Sequence, residues 1–259
     1  MYRASDREQL LTTVVDYINK CPFFEGILLI GSGAGGFVDI YSDIDLMAGC
    51  YSADNVDEAA KKLQTFFDTL GACYVVPRKW TSTALGYSVY FENGLSIDLS
   101  FMPTDEIPIK SPQQKVLLSK TDKFANAISQ KAEQFKERNE KYGVDNSIHY
   151  RFINELRYVE IALKRRQLIW ADIALNNARQ LLLAVETVAE GKKLHQFKAY
   201  NSLEQTFLDK LEGTYPCSRE YQDIHKATES LLNLYLETIK KSDYLKFDEK
   251  LLCLLGCFE

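Results

Sequence analysis

The feature that most constrains the fold is a change in hydrophobic periodicity at a proline-rich segment. Residues 103–112 contain three prolines and no regular period, which predicts an irregular connection. Before this segment, short strand-like runs alternate with helical ones, whereas after residue 121 apolar residues recur only at helical spacing. The sequence therefore predicts an α+β chain with a first domain at 1–105, a junction at 103–120 and a helical bundle at 121–259.

Capping signals and apolar runs predict the individual elements. A capping box, Ser5-x-x-Glu8, starts a helical run at 6–20. The uninterrupted apolar run at 26–30 is typical of a buried strand. Later runs predict an extended segment at 43–50, a helix at 55–71 and a strand at 72–76. In the bundle, apolar spacing predicts helices at 122–142, 148–167, 171–190, 202–212, 219–241 and 247–255.

The clearest local signal is a β-hairpin. Asn93-Gly94 separates extended runs at 87–92 and 95–101, and this pair favours a two-residue type I′ turn. In the second run Asp98 alternates with aliphatic side chains, so it lies on the polar face of the strand.

A glycine-rich turn follows the buried strand directly. Gly31 and Ser32 open the sequence Gly-Ser-Gly-Ala-Gly-Gly at 31–36. The backbone N–H groups of such a turn, together with a hydroxyl, are suitable donors to a phosphate chain. Gly31 and Ser32 are therefore the candidate phosphate-binding residues.

Two carboxylates follow in the next extended run. Asp43 and Asp45 alternate with aliphatic residues, so both leave one face of a strand, about 6 to 7 Å apart. Carboxylate oxygens suit Mg²⁺, and two ions about 4 Å apart can hold both oxygens of an in-line displacement. Asp98 is the candidate third carboxylate. The alternatives are solvated acids on an edge strand and, for Asp98, an exposed hairpin residue.

Charge and hydropathy limit the class of partner. The formal net charge is −5, which argues against a broad nucleic-acid footprint. Residues 1–8 enter an amphipathic stretch without the apolar region of a signal peptide. The chain also has no uncharged apolar run of roughly 18 residues, the length that crosses a bilayer. These features predict a soluble, cytoplasmic protein without membrane contact.

The order of these motifs resembles a known superfamily. Gly31-Ser32, ten intervening residues, the run Asp43-Ile44-Asp45-Leu46 and the later Asp98 are similar to the motif of the DNA polymerase beta-type nucleotidyltransferases. A small catalytic domain followed by helices resembles the bacterial aminoglycoside and lincosamide nucleotidyltransferases within it. The resemblance implies a mixed sheet flanked by helices, ATP or another NTP as co-substrate, two Mg²⁺ ions and a small-molecule acceptor.

The resemblance also implies roles for individual residues. Gly31 and Ser32 would bind the nucleotide phosphates, and Asp43 and Asp45 would ligate metal. Asp98 would ligate the catalytic metal and help to deprotonate the acceptor hydroxyl, with a base from the helical part, such as Glu186, as the alternative. The implied reaction transfers a nucleoside monophosphate, AMP from ATP, to a hydroxyl of a small molecule and releases pyrophosphate. An antibiotic acceptor would make the protein a resistance enzyme.

Other interpretations stay open. Transfer to RNA or protein would need a basic groove beside the acids, which the sequence does not show. A non-catalytic nucleotide-binding regulator or antitoxin-like protein would not be required to keep all three acids. Arg78-Lys79 could neutralise phosphate charge or form a solvated face. A homodimer that completes the cleft across two subunits is also compatible with the chain.

Overall fold

A computed structural model describes residues 2–37, 39, 41–138, 142–145, 147–192, 200–241 and 246–255 of the chain. It divides into two compact units, Met1–Arg138 and Asn139–Glu259, called here the sheet unit and the helical unit. The predicted α+β class is confirmed, because a mixed six-stranded sheet with helices precedes a helical part. No helix in the described ranges is long and apolar enough to cross a membrane.

The sheet unit is built on strands in the order β3-β4-β5-β2-β1-β6. Strands β2 and β5 pair in parallel, whereas the other neighbours pair antiparallel. The elements in chain order are α1 (Ala4–Lys20), β1 (Phe24–Ile30), β2 (Ile44–Cys50), α2 (Val56–Thr69), β3 (Tyr74–Lys79), β4 (Leu85–Tyr90), β5 (Ser96–Pro103), β6 (Gln114–Ser119) and α3 (Asp122–Lys136).

The core of the sheet unit lies between one sheet face and helices α1 and α2. Aliphatic residues of β2 and β5 alternate toward this face, including Leu46 and Leu99, which are buried with Val14 of α1 and Leu63 of α2. Helix α3 packs on strands β1 and β2 at positions occupied by glycine. A Cβ atom added at Gly26 or Gly49 would overlap the Phe124 ring. The alternation of β2 and β5 leaves their polar side chains on the face opposite the core.

The proline-rich segment 103–120 lies within the sheet unit. It contains a short 3₁₀ turn at Thr104–Glu106 and strand β6, which pairs antiparallel with β1. Strand β6 was not predicted, because the three prolines before it suggest an irregular connection.

Two local predictions were wrong in detail. Helix α1 begins at Ala4 rather than after Ser5, and the backbone N–H of Arg3 donates to Asp6 Oδ2 at 2.8 Å. The hairpin turn is not type I′: the Gly94 N–H donates to the Phe91 carbonyl at 2.9 Å and the Phe91 N–H to the Leu95 carbonyl at 3.0 Å. Only Gly94 has a positive φ there, as in a type I turn followed by a glycine bulge.

The helical unit contains α4 (Ile148–Lys164), α5 (Leu168–Ala189), α6 (Gln205–Glu212) and α7 (Tyr221–Ile239). Their apolar stripes meet in one core that includes Phe152, Leu175, Leu182 and Leu231. The helix predicted at 247–255 is a 3₁₀ segment, Glu249–Leu254.

Candidate active site

Gly31 joins the end of β1 to the 3₁₀ turn Gly31–Gly35. Its φ is +66°, a left-handed conformation that glycine adopts without steric cost. A Cβ atom at this position would also lie 2.6 Å from Asp45 Oδ2. Two separate reasons therefore require glycine at this position, and its lack of a side chain lets the turn's backbone lie against the Asp45 carboxylate.

Ser32 follows Gly31 directly in the turn and carries a hydroxyl. Its Oγ atom is buried and has no hydrogen-bond partner among the described residues. Buried polar atoms in folded proteins are nearly always hydrogen-bonded. An unpartnered hydroxyl in a glycine-rich turn is thus suited to donate to a phosphate oxygen.

The structure brings Asp45 and Asp98 together. They are register partners in the parallel pair of β2 and β5, so their side chains leave the same face of neighbouring strands about 4.8 Å apart. Asp98 is exposed and Asp45 is half-buried. Asp43 is exposed and directly precedes the first residue of β2. The two acids from distant sequence positions form one carboxylate pair beside the Gly31 turn.

Two further polar side chains, on strands β4 and β3, continue from Asp98 across the sheet. Ser88 of β4 is the register partner of Asp98, and its hydroxyl is hydrogen-bonded to Asp98 Oδ1. The Arg78 Nε–H of β3 donates to Ser88 Oγ at 2.7 Å. Ser88 was not predicted as a site residue.

Arg7 of α1 holds the loop that leads to Asp43. It is 4% exposed, and its Nη1 donates to the carbonyls of Asp39 at 2.9 Å and Ser42 at 3.1 Å. The guanidinium also stacks 3.7 Å from the centre of the Phe37 ring. These two bonds hold the loop backbone at residues 39 and 42. The loop ends directly before Asp43.

Asp39 serves this loop as a turn residue. Its Oδ1 accepts from the Tyr41 backbone N–H at 2.8 Å and from the Ser42 hydroxyl at 3.0 Å. The Ser42 hydroxyl, followed by the Tyr41 N–H, lowers the pKa of Asp39 below its ordinary value.

The donor set bears on how a metal could bind. Within the described part of the chain, no three His, Cys, Asp or Glu side chains converge on one metal position. Mg²⁺ commonly keeps several waters and binds through one or two carboxylates together with substrate phosphates. The Asp45–Asp98 pair fits that mode rather than an all-protein cage. Metal ligation by Asp43, Asp45 and Asp98 stays a prediction.

Glu186, the alternative base, lies in α5 of the helical unit. It is 0% exposed, and Lys241 Nζ lies 2.5 Å from its Oε1. Burial raises the pKa of Glu186, although the bond from Lys241 opposes this shift. These contacts describe an ion pair within the helical unit.

Comparison with known proteins gives a family match over most of the chain. The model of the streptomycin adenylyltransferase family matches residues 5–249. An aminoglycoside 6-adenyltransferase from Bacillus subtilis is 14% identical, with 98% of this chain and 97% of that chain covered and a TM-score of 0.43. A nucleotidyltransferase-like protein from Exiguobacterium sibiricum 255-15 is 12% identical, with 97% and 87% covered and a TM-score of 0.44. No curated protein matches the sequence.

Proposed function

Because this chain belongs to the streptomycin adenylyltransferase family, we propose that it is a magnesium-dependent nucleotidyltransferase that moves AMP from ATP to a hydroxyl of a small molecule. The observation that carries the proposal is the register of Asp45 with Asp98 beside the Gly31 turn. Two carboxylates and a phosphate-binding turn at one place supply what nucleotidyl transfer needs, namely positioning and charge neutralisation.

The turn binds the nucleotide phosphates. The Ser32 hydroxyl, buried and unpartnered within the described structure, donates to a phosphate oxygen, and the backbone N–H groups beside Gly31 donate to others. Since the Gly31 backbone lies against the Asp45 carboxylate, the phosphates are held next to the acids.

The acids divide the remaining work. Asp45 and Asp98 would hold magnesium together with the nucleotide phosphates, and Asp43, which directly precedes β2, would supply the further ligand that the sequence predicts. When bound there, Mg²⁺ would neutralise phosphate charge and act as a Lewis acid on the α-phosphate. Asp98 accepts the proton of the acceptor hydroxyl, whose oxygen forms the new bond to the α-phosphorus while the bond to pyrophosphate breaks.

The acceptor class follows from charge as well as from the family name. Aminoglycosides carry several amino groups and are cationic at neutral pH. A chain of net charge −5 attracts cationic ligands and repels polyanions. We therefore expect an aminoglycoside acceptor, with a resistance phenotype in cells that express the protein.

The test is release of pyrophosphate from ATP and Mg²⁺ with a panel of aminoglycosides and lincosamides. Release should require one acceptor class, stop with EDTA and return with excess Mg²⁺. Asp45→Asn should abolish release, whereas Asp54→Asn, at an exposed position beyond the other end of β2, should not change it. ATP binding without release for any acceptor would contradict the proposal.

A further inference from the structure

A hydrogen-bonded row crosses three strands and ends on Asp98. Arg78 Nε lies 2.7 Å from Ser88 Oγ, and Ser88 Oγ is bonded to Asp98 Oδ1. Ser88 and Asp98 are register partners on β4 and β5, while Arg78 on β3 pairs with the residue two positions from Ser88, Gly86. Residues two apart on a strand share a face, so all three side chains lie on the face that carries Asp45.

The direction of the row is fixed by chemistry. A guanidinium has donors and no acceptor, so Ser88 Oγ must accept the hydrogen bond from Arg78. The single hydroxyl proton of Ser88 is then given to Asp98 Oδ1. Asp98 Oδ2 accepts no hydrogen bond from the described residues. The row therefore commits one carboxylate oxygen and leaves the other for a ligand.

We propose that Ser88 and Arg78 are positioning residues that orient Asp98 for metal binding and proton transfer. The proposal rests on the proposed function, which assigns those roles to Asp98. An exposed aspartate has a broad distribution about its terminal torsion angle. Ser88 is 1% exposed and held from behind by Arg78, so it fixes the carboxylate plane and turns Oδ2 toward the substrates.

A direct role for Arg78 is the competing interpretation. Arg78 is exposed, and a free guanidinium on this face could contact a phosphate without using Ser88. The two interpretations differ in their coupling. If Arg78 acts through Ser88, its replacement has no effect once the Ser88 hydroxyl is gone, because residues of one network are not additive.

The first experiment measures Mn²⁺ affinity by calorimetry with a non-hydrolysable ATP analogue, together with kcat and KM for ATP. Ser88→Ala should weaken metal binding about 10- to 100-fold, the usual effect of losing an outer partner of a ligand. It should lower kcat similarly and leave KM for ATP within about twofold, while Ser88→Thr, which keeps the hydroxyl, should restore both. The matched control is Ser96→Ala. Ser96 lies two residues before Asp98 on the same face of β5, and its replacement should change neither quantity.

The second experiment is the double-mutant cycle of Arg78→Gln and Ser88→Ala. We expect the double variant to match Ser88→Ala alone in kcat and in metal affinity. Effects that multiply would overturn the role of Arg78 as a partner of Ser88. Unchanged metal affinity and kcat in Ser88→Ala would overturn the whole row.

Asp98→Asn separates this inference from the proposed function. If Asp98→Asn impairs metal binding and kcat but Ser88→Ala does not, only the positioning row fails. If Asp98→Asn changes neither quantity, the role of Asp98 in the proposed function fails and the row fails with it. Circular dichroism melting of each variant excludes loss of folding as the cause.

Discussion

Opposite ends of strands β1 and β2 place carboxylates in contrasting settings. At one end Glu25 is 2% exposed, and its two oxygens accept from the hydroxyls of Thr104 at 2.6 Å and Thr121 at 2.5 Å. At the other end Asp98 is exposed beside Asp45, and of its oxygens only Oδ1 is bonded within the described residues. A carboxylate whose two oxygens both accept hydrogen bonds within the protein has a structural role. One with an open oxygen can bind a metal or accept a proton.

The largest expected effect is at the open carboxylate. Asp98→Asn should lower kcat about 10²- to 10⁴-fold, the range for losing a general base. Its melting temperature should stay near that of the wild type, because the side chain is exposed. Steady-state pyrophosphate release and thermal unfolding measure the two quantities. A variant that unfolds easily but keeps its kcat would place Asp98 in the same class as Glu25.

Gly31→Ala should have the next largest effect. The new Cβ would meet Asp45 Oδ2 at 2.6 Å with φ at +66°, and a misplacement of about 1 Å can cost about 10²-fold in rate. We expect kcat/KM for ATP to fall by about that factor. Gly36→Ala, at φ +90° with no atom within 4 Å of its Cβ, is the control for backbone strain alone. Equal losses of activity in both variants would contradict a specific contact with Asp45.

Arg7→Gln should produce a smaller loss of activity. The substitution removes the Nη1 bonds to the carbonyls of Asp39 and Ser42 and frees the loop before Asp43. We expect kcat/KM for ATP to fall about tenfold and stability to fall by about 1–3 kcal/mol, the cost of leaving buried groups unpaired. Urea unfolding and ATP kinetics test this. If stability falls while kcat/KM is unchanged, the loop does not position Asp43.

Loss of a hydrogen bond to Glu25 should change stability only. Thr104 is 1% exposed, so Thr104→Val should leave Glu25 Oε2 without its donor and cost about 1–3 kcal/mol of unfolding free energy. The kcat of the folded protein should equal that of the wild type. A loss of kcat below the melting transition would show that the two ends of the strands are coupled.

The helical unit offers the smallest effect, at another covered group. His149 is buried, its Nδ1 lies 2.7 Å from the Tyr235 hydroxyl, and burial lowers its pKa below 6.5. Because the folded pKa is the lower one, its contribution to stability is present above about pH 6.5 and is lost as pH falls through the folded value, about 1.4 kcal/mol for each unit of lowering. Urea midpoints from about pH 7 to about pH 5 should therefore decline. His149→Gln should flatten this decline.

The sequence predicted the fold class and the acids, because both depend on local periodicity. Asp43, Asp45 and Asp98 alternate with aliphatic residues that pack on the other face, and the family match confirms the resemblance they carry. Their roles as site residues stay predictions. Strand β6 was missed because its pairing with β1 is a tertiary contact.

The hydrogen-bonded row could not be predicted from the turn that was assumed. A two-residue loop at Asn93-Gly94 would set Val89 opposite Asp98, whereas the observed bulge sets Ser88 there. A register shift of one residue moves every side chain to the other face. The placement of Ser88 opposite Asp98 thus depends on one extra residue in the loop. The contacts of Arg7 with a loop more than thirty residues away left no comparable trace in the sequence.

The parallel pairing of β2 with β5 has a consequence for how the protein matures. Residues 46–97, with α2, β3 and β4, lie between Asp45 and Asp98, so the pair forms only after a long excursion of chain has been ordered. Closing such a loop is entropically costly and makes non-local pairing slow. A chain emerging from the ribosome has no complete carboxylate pair until β5 docks. If nucleotide binds at this pair as proposed, its binding reports the end of folding in this unit and favours the folded state by mass action.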